Sequence, residues 1–235
     1  MKLAYSIEQQ ELRESVRRFL ADRMPLPRVR ELMDSPDGTD EKVWSHLSGQ
    51  LGLPGIAIPE TYGGAGFGFA EQAIVLEELG AALYPGPYLA SAVLAANALL
   101  ASADEAAKQD LLPGIASGEA IATLAFTEDD GSWDPDAVRL EAAQGDGGWL
   151  LDGHKNYVLD GHLAGLILVV ARAGGERHRG HVEHARRDGR RVARRADQPG
   201  WHGGELKPRQ RPGLVERGQL GAGQAGRGRV DGEQR

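Results

Sequence analysis

The sequence predicts an α+β fold in which an amino-terminal helical bundle is followed by a partial antiparallel β-domain and then by a disordered tail. Three observations predict it. Apolar residues recur at helical spacing through residues 1–116, and short apolar runs separated by aspartate-glycine pairs occupy residues 117–173. From residue 174 the apolar pattern is lost. Because helices come first and strands afterwards, we expect the two to be segregated.

The first two helices have recognisable start signals. Ser6 and Gln9 have the form of a capping box, after which apolar residues repeat along one face of a helix. That face carries Leu12, Val16, Phe19 and Leu20. A second helix is expected to start near residues 39–40 and to stop at Gly52, since glycine readily takes the left-handed conformation of a helix end.

Three further helices complete the predicted bundle. The stretch at 53–68 is too rich in proline and glycine for regular structure. A third helix is expected over 69–79, a fourth, alanine-rich one over 88–101, and a fifth from Asp104 to a stop before Pro113.

The region after residue 116 has the pattern of a β-domain. Aspartate-glycine pairs at 146/147, 152/153 and 160/161 suit tight hairpin turns, because such pairs supply positive φ angles. The apolar runs at 149–151, 157–159 and 165–172 are therefore expected to be strands of an antiparallel meander.

The tail, residues 174–235, differs from the rest in composition and charge. Leu, Ile, Val and Phe make up 7 of its 62 residues, which predicts disorder. It carries 15 basic and 8 acidic residues, against 12 and 26 in residues 1–173. We interpret the change as a frameshift between about residues 171 and 178; a genuine basic, glycine-rich tail is the alternative.

Composition also excludes several classes of protein. The chain has no cysteine, which removes disulfides and thiolate metal sites and suits a reducing compartment. No apolar stretch is long enough to span a bilayer, and the first residues lack a secretory signal. We therefore expect a cytoplasmic protein with no membrane partner. The histidines at 178, 181 and 184 have no predicted scaffold, so no metal site is expected.

Four stretches of residues 1–172 resemble the acyl-CoA dehydrogenase family. They occur in the family's order and spacing: Leu51-Gly-Leu-Pro-Gly-Ile-Ala-Ile-Pro-Glu60 with Tyr62-Gly-Gly-Ala-Gly66; Val75-Leu-Glu-Glu-Leu-Gly80; Leu112-Pro-Gly-Ile-Ala-Ser-Gly-Glu119 with Thr127-Glu128 and Gly131-Ser132; and Asp152-Gly-His-Lys-Asn-Tyr-Val-Leu-Asp-Gly161. In that family a helical domain and a middle β-domain are followed by a carboxy-terminal four-helix domain. Only the first two have counterparts here.

The resemblance implies oxidation of the Cα–Cβ bond of an acyl-CoA thioester, with a hydride passing to FAD. It implies that the loop at 124–132 lies along the flavin, and that residues after a lysine on the next motif touch the same ring. The cofactor-binding residues implied are Phe126, Thr127, Gly131, Ser132, Tyr157 and Leu159.

This sequence departs from the family pattern in the same places. The segment between Glu128 and Gly131 is two residues shorter, Trp133 stands where an aspartate is usual, and Leu159 replaces a threonine. A leucine cannot donate a hydroxyl hydrogen bond. Considered without the resemblance, Tyr157 would be an ordinary strand aromatic, and Thr127 and Ser132 would make local turn hydrogen bonds.

The resemblance implies no catalytic residue in this chain, because the family's glutamate base lies in the missing domain. The first hypothesis is thus a truncated acyl-CoA dehydrogenase, inactive as written, whose full-length form is a homo- or hetero-oligomer served by an electron-accepting flavoprotein. A second is a non-catalytic partner subunit of a heteromeric enzyme. A third is a nucleic-acid-binding protein using the basic tail, although nucleic acid is not the expected partner.

Overall fold

The computed structural model describes residues 4–145 and 148–173, together with the backbone of 181–186 and 191–192. The helices are α1 (Ile7–Arg23), α2 (Leu26–Met33), α3 (Glu41–Gly49), α4 (Phe69–Ala81), α5 (Ala96–Ala101) and α6 (Glu105–Ser117). A π-helical segment, Leu89–Ala95, leads directly into α5. Single 3-10 turns lie at Leu53–Gly55, Glu60–Tyr62 and Pro135–Ala137.

The predicted helix starts are confirmed. Ser6 caps α1 in a full capping box with Gln9, and the Asp40 carboxylate caps α3 by accepting from the N–H groups of Lys42 and Val43. Helix α2 was not predicted. It is only eight residues long, follows Pro25 as its N-cap, and carries Pro27 in its first turn, where proline is well tolerated.

The predicted end of the fifth helix is wrong. Helix α6 continues through Pro113 to Ser117 and stops at Gly118, whose φ of 74° is left-handed. Leu112 and Ile115 on either side of the proline are fully buried, and this burial outweighs the one backbone hydrogen bond that proline cannot donate.

One shared core joins the helices to the sheet. Leu99 of α5 and Leu112 and Ile115 of α6 pack in the same buried cluster as Leu166 and Leu168 of a central strand. A second cluster lies within the helical bundle and includes Leu20, Leu47 and Val75. The first strand and the central strand are therefore fixed against the helical layer.

The sheet is mixed. Its strands are β1 (Ala122–Ala125), β2 (Glu141–Gly145), β3 (Gly148–Leu151), β4 (Leu166–Ala173), β5 (His181–Arg186) and β6 (Arg191–Val192). The strand order is β3-β2-β4-β5-β6, and β1 also pairs with β4. The α+β class is confirmed, but β4 runs parallel to both β1 and β2. Among the described strands, β2–β3, β4–β5 and β5–β6 are the antiparallel pairs.

The expected strand at 157–159 is wrong. Tyr157 has a φ of 55° and Asp160 a φ of 51°, both outside the extended region. Instead of forming a ladder, this segment hydrogen-bonds to β1 and to the loop that follows it. Tertiary bonds have thus replaced the hairpin that the aspartate-glycine pairs suggested.

Strands β5 and β6 fall within the segment for which the sequence predicts disorder. There the backbone of β5 pairs with β4 on one side and with β6 on the other. The rest of residues 174–235, including His178, and the side chains of His181 and His184 lie outside the described residues. None of the described helices is long and apolar enough to cross a membrane.

Candidate functional site

Two segments distant in sequence lie side by side at the end of β1. The first is the loop at 126–134, which leaves β1; the second is the irregular segment at 152–160. The Asn156 N–H donates to the Thr127 carbonyl at 2.9 Å. Within β1 itself, the Thr123 hydroxyl donates to the Leu159 carbonyl at 2.6 Å. These are the two stretches for which the family resemblance implies flavin contacts.

A buried ion pair joins the two segments. The Lys155 side chain is 4 % exposed and the Glu128 side chain 15 %. Lys155 Nζ lies 2.7 Å from Glu128 Oε1 and donates a second hydrogen bond, at 3.3 Å, to the Phe126 carbonyl. The carboxylate also accepts from the backbone N–H groups of Leu140 (2.9 Å) and Arg139.

The charge state of Glu128 follows from these contacts. Burial alone would raise its pKa, but the Lys155 ammonium and the two backbone donors together outweigh burial, so the pKa lies below its ordinary value. Glu128 is therefore an ionised structural partner of Lys155 and is poorly suited to act as a proton acceptor.

A second, exposed polar cluster covers the same junction. Asp129 accepts from His154 Nε2 at 2.7 Å and from Asn156 Nδ2 at 2.6 Å. The hydrogen bond from His154, followed by that from Asn156, lowers the pKa of Asp129. Because Asp129 and His154 are both largely exposed, this pair adds little to stability.

The predicted residues of the loop are brought together, in different environments. The Phe126 ring is half-buried and packs edge-on against Trp133, with ring centroids 5.3 Å apart. Thr127 is buried, and within residues 4–145 and 148–173 neither its hydroxyl nor its N–H makes a hydrogen bond. Gly131 has a φ of 67° and open space where a Cβ would stand. The Ser132 hydroxyl accepts from the Asp134 N–H in a local turn.

The predicted residues of the second segment are exposed. The Tyr157 side chain stands out from a left-handed bend and the residue is 73 % exposed. Leu159 is 47 % exposed, and it is its carbonyl, bonded to Thr123, that joins the junction. Its side chain takes no part in any polar contact.

Lys155 and Glu128 were missed as site residues. A lysine between histidine and asparagine in a polar turn is usually solvated, and a glutamate beside two aspartates equally so. The one available signal was that each belongs to a family motif. Their pairing required the chain between them to fold back, which short-range patterns do not report.

The arrangement fits the ring portion of a flavin. A planar ring with acceptor atoms needs hydrogen-bond donors and an apolar cover. Thr127 offers a hydroxyl and an N–H with no protein partner among the described residues, and Tyr157 offers an exposed aromatic ring. No group of three or more histidine, aspartate or glutamate side chains is placed to hold a metal ion in the part of the chain that the structure describes.

Comparison with known families gives two consecutive matches. The model of the acyl-CoA dehydrogenase N-terminal domain matches residues 6–119, and that of the acyl-CoA dehydrogenase middle domain matches residues 123–207. The second match extends past residue 173 into the segment of altered composition.

Curated relatives are similar over the same region. Isovaleryl-CoA dehydrogenase of Pongo abelii is 33 % identical over 170 residues, which is 71 % of this chain and 40 % of that protein. The acyl-CoA dehydrogenase IpdE2 of Mycobacterium tuberculosis is 43 % identical over 122 residues, or 52 % of this chain and 37 % of that protein. The chain thus spans about two fifths of the length of these relatives.

Solved structures with similar folds come from the same family. One chain of the ChsE4-ChsE5 complex from Mycobacterium tuberculosis superimposes with a TM-score of 0.69 at 30 % identity, covering 79 % of this chain and 49 % of that one. A variant of the Tcur3481-Tcur3483 steroid ACAD gives 0.67 at 31 % identity, covering 77 % and 48 %.

Proposed function

The chain belongs to the acyl-CoA dehydrogenase family, and we propose that it supplies the flavin-ring side of an FAD-dependent enzyme that oxidises the Cα–Cβ bond of an acyl-CoA thioester. One observation carries the proposal. The Thr127 loop and the segment that bears Tyr157 are joined by the Asn156–Thr127 hydrogen bond and the buried Lys155–Glu128 pair. Two family motifs about thirty residues apart thereby become one surface.

FAD, when bound, supplies the hydride acceptor. The residues of this chain would bind and orient it. The Thr127 hydroxyl and N–H are the donors available to the acceptor atoms of the ring, and the Tyr157 ring can cover one face. Phe126, braced by Trp133, adds apolar surface beside them.

Neither Glu128 nor Asp129, the two carboxylates that join the segments of this surface, is suited to remove the α-proton of a thioester. Glu128 is neutralised by Lys155, and Asp129 is held by His154 and Asn156. A base has to be poised near the operating pH and free to accept a proton. We therefore propose that the base comes from a further polypeptide segment, and that the 235-residue chain alone is inactive.

A partner subunit is the second candidate function. Similarity to a chain of the ChsE4-ChsE5 complex and to the Tcur3481-Tcur3483 steroid ACAD favours it, since both names describe two-component assemblies. In that case another chain would supply the base and the remaining FAD contacts. An acyl-CoA thioester remains the substrate class, with branched or steroid acyl groups as the candidates that the relatives suggest.

The test is spectroscopic. The purified chain, desalted, should lack the visible absorbance of flavin, because contacts to the FAD pyrophosphate are incomplete and each loss of about 1.4 kcal/mol weakens binding tenfold. Titrated with FAD, it should nevertheless quench flavin fluorescence at high concentration. Acyl-CoA with an electron-accepting dye should give no turnover.

Two outcomes would contradict the proposal. A chain that retains stoichiometric FAD and turns over acyl-CoA would show that its own residues complete the site. A chain that never perturbs flavin fluorescence would show that this surface is not a flavin site. Co-expression with an acyl-CoA dehydrogenase chain from the same genome separates the second candidate from the first, since only a partner subunit would restore both yellow colour and turnover.

A further inference from the structure

The Lys155–Glu128 pair is more elaborate than a link between two segments requires. Lys155 Nζ donates both to the carboxylate and to the Phe126 carbonyl, while the same carboxylate accepts from the backbone N–H groups of Arg139 and Leu140, just before β2. Three parts of the chain, at 126–128, 139–140 and 155, therefore meet at one buried charge pair. Breaking one partner of such a pair leaves an uncompensated buried charge.

The second hydrogen bond of Lys155 fixes a peptide plane. The peptide between Phe126 and Thr127 is trans, so its N–H points opposite to its carbonyl. Since the Phe126 carbonyl faces Lys155 Nζ at 3.3 Å, the Thr127 N–H faces away from the ion pair. The next carbonyl, that of Thr127, is held by the Asn156 N–H at 2.9 Å. Both peptides that flank Thr127 are thus fixed from the protein side.

We infer that Lys155 and Glu128 form a positioning pair that orients the Thr127 peptide, so that the Thr127 N–H and hydroxyl are presented together to a ligand acceptor. Neither residue touches the ligand. The inference rests on the proposed function only for the identity of that ligand as the flavin ring. A donor pair fixed in advance binds more tightly than one that has to be ordered on binding.

The first test needs no ligand. In Lys155→Met the ammonium is lost and the length of the side chain is kept. Amide hydrogen exchange by NMR should show reduced protection of the Asn156 N–H, which donates to the Thr127 carbonyl, and of the Leu140 N–H, which donates with that of Arg139 to the Glu128 carboxylate. Lys155→Arg, which keeps the charge, should restore part of that protection.

The matched control is Glu78→Gln. Glu78 is a buried carboxylate of α4, paired with Arg17 of α1 in the helical bundle and remote in the fold from the Thr127 loop. It should lower overall stability without selectively exposing Asn156 and Leu140. Equal effects of the two variants on these amides would overturn the inference.

The second test measures FAD affinity by quenching of flavin fluorescence. Lys155→Met should raise the FAD Kd about tenfold or more, as expected when donors lose their orientation. Glu78→Gln should leave the Kd within about twofold. Unchanged affinity in Lys155→Met, or an equal rise in Glu78→Gln, would show that the pair does not act by positioning Thr127.

The two proposals fail differently. If the unmodified chain gives no FAD signal at all, the proposed function fails, and the exchange experiment alone decides whether Lys155 orders the loop. If FAD binds and Lys155→Met changes neither exchange nor affinity, the proposed function stands and the positioning role is wrong.

Discussion

Two buried threonines, one within β1 and one just after it, give a matched pair of perturbations. Thr123 and Thr127 are 0 % and 4 % exposed, and each can be replaced by valine with almost no change in shape. The Thr123 hydroxyl donates to the Leu159 carbonyl at 2.6 Å. The Thr127 hydroxyl has no partner among the described residues. The two valine variants therefore differ in whether a protein hydrogen bond is lost.

The expected magnitudes follow from that difference. Thr123→Val leaves the Leu159 carbonyl without its donor and should lower the free energy of unfolding by about 1–3 kcal/mol. Thr127→Val removes a hydroxyl that bonds to nothing in the described protein, so the change should be within about 0.5 kcal/mol. If that hydroxyl instead serves FAD, the same variant should weaken FAD binding about two- to tenfold, the value of one hydrogen bond.

Two assays on the same samples separate these effects. Urea denaturation followed by circular dichroism gives the free energy of unfolding, and a change in midpoint at constant slope reports stability alone. Quenching of flavin fluorescence gives the FAD Kd. Thr127→Ser, which keeps the hydroxyl and loses the methyl group, is the control for FAD binding.

The reasoning would be refuted by the opposite pattern. If Thr127→Val destabilised the fold as much as Thr123→Val, its hydroxyl would have a structural partner and would not be reserved for a ligand. If Thr127→Val kept both full stability and full FAD affinity, the loop would not present this hydroxyl to the flavin.

Three other predictions can be checked with the same denaturation assay. Gly118→Ala should lower the free energy of unfolding by about 2–5 kcal/mol, because φ is 74° and the new Cβ would lie 2.3 Å from Ser48 Cβ. Gly52 is also left-handed but has open space around it, so Gly52→Ala should cost only about 1–2 kcal/mol. Equal costs would contradict the steric part of this argument. The free energy of unfolding should fall as pH drops below about 4.3, because the folded pKa of Glu128 lies below its unfolded value and its contribution is lost as the pH falls through the folded pKa. In Glu128→Gln the free energy of unfolding should fall less steeply with pH over this range. Parallel stability curves for the two proteins would contradict this. Asp40→Ala should cost at least about 1 kcal/mol, because it removes both the α3 cap and the hydrogen bond from Arg28, and an unchanged midpoint would show that neither contributes.

Local chemistry was sufficient for much of the helical bundle. The capping box at Ser6 and Gln9 and the Asp40 cap satisfy backbone donors within three residues, so their signals lie in short stretches of sequence. The end of α6 could not be read in this way. Whether Pro113 stops the helix depends on the burial of Leu112 and Ile115 against β4, which is a long-range contact.

The β-domain illustrates the same limit more strongly. Aspartate-glycine pairs signal turns but not the partners of the strands beside them. The pair at 146/147 does lie between β2 and β3, whereas the pairs at 152/153 and 160/161 belong to an irregular segment. Strand β4 pairs in parallel with β1 and β2 and packs on the helical layer through Leu166 and Leu168, all of which are long-range contacts. No local pattern encodes that choice.

The sequence by itself determined the fold class, the family and the two motifs of the candidate flavin surface, because each depends on residue types at short, fixed spacing. Only the tertiary structure brought Lys155 to Glu128 and left the Thr127 donors without a protein partner among the described residues. The physical reason is that hydrogen bonding and burial depend on which residues meet in the folded chain. A lysine in a polar turn becomes a buried positioning group only when a carboxylate twenty-seven residues earlier in the chain folds against it.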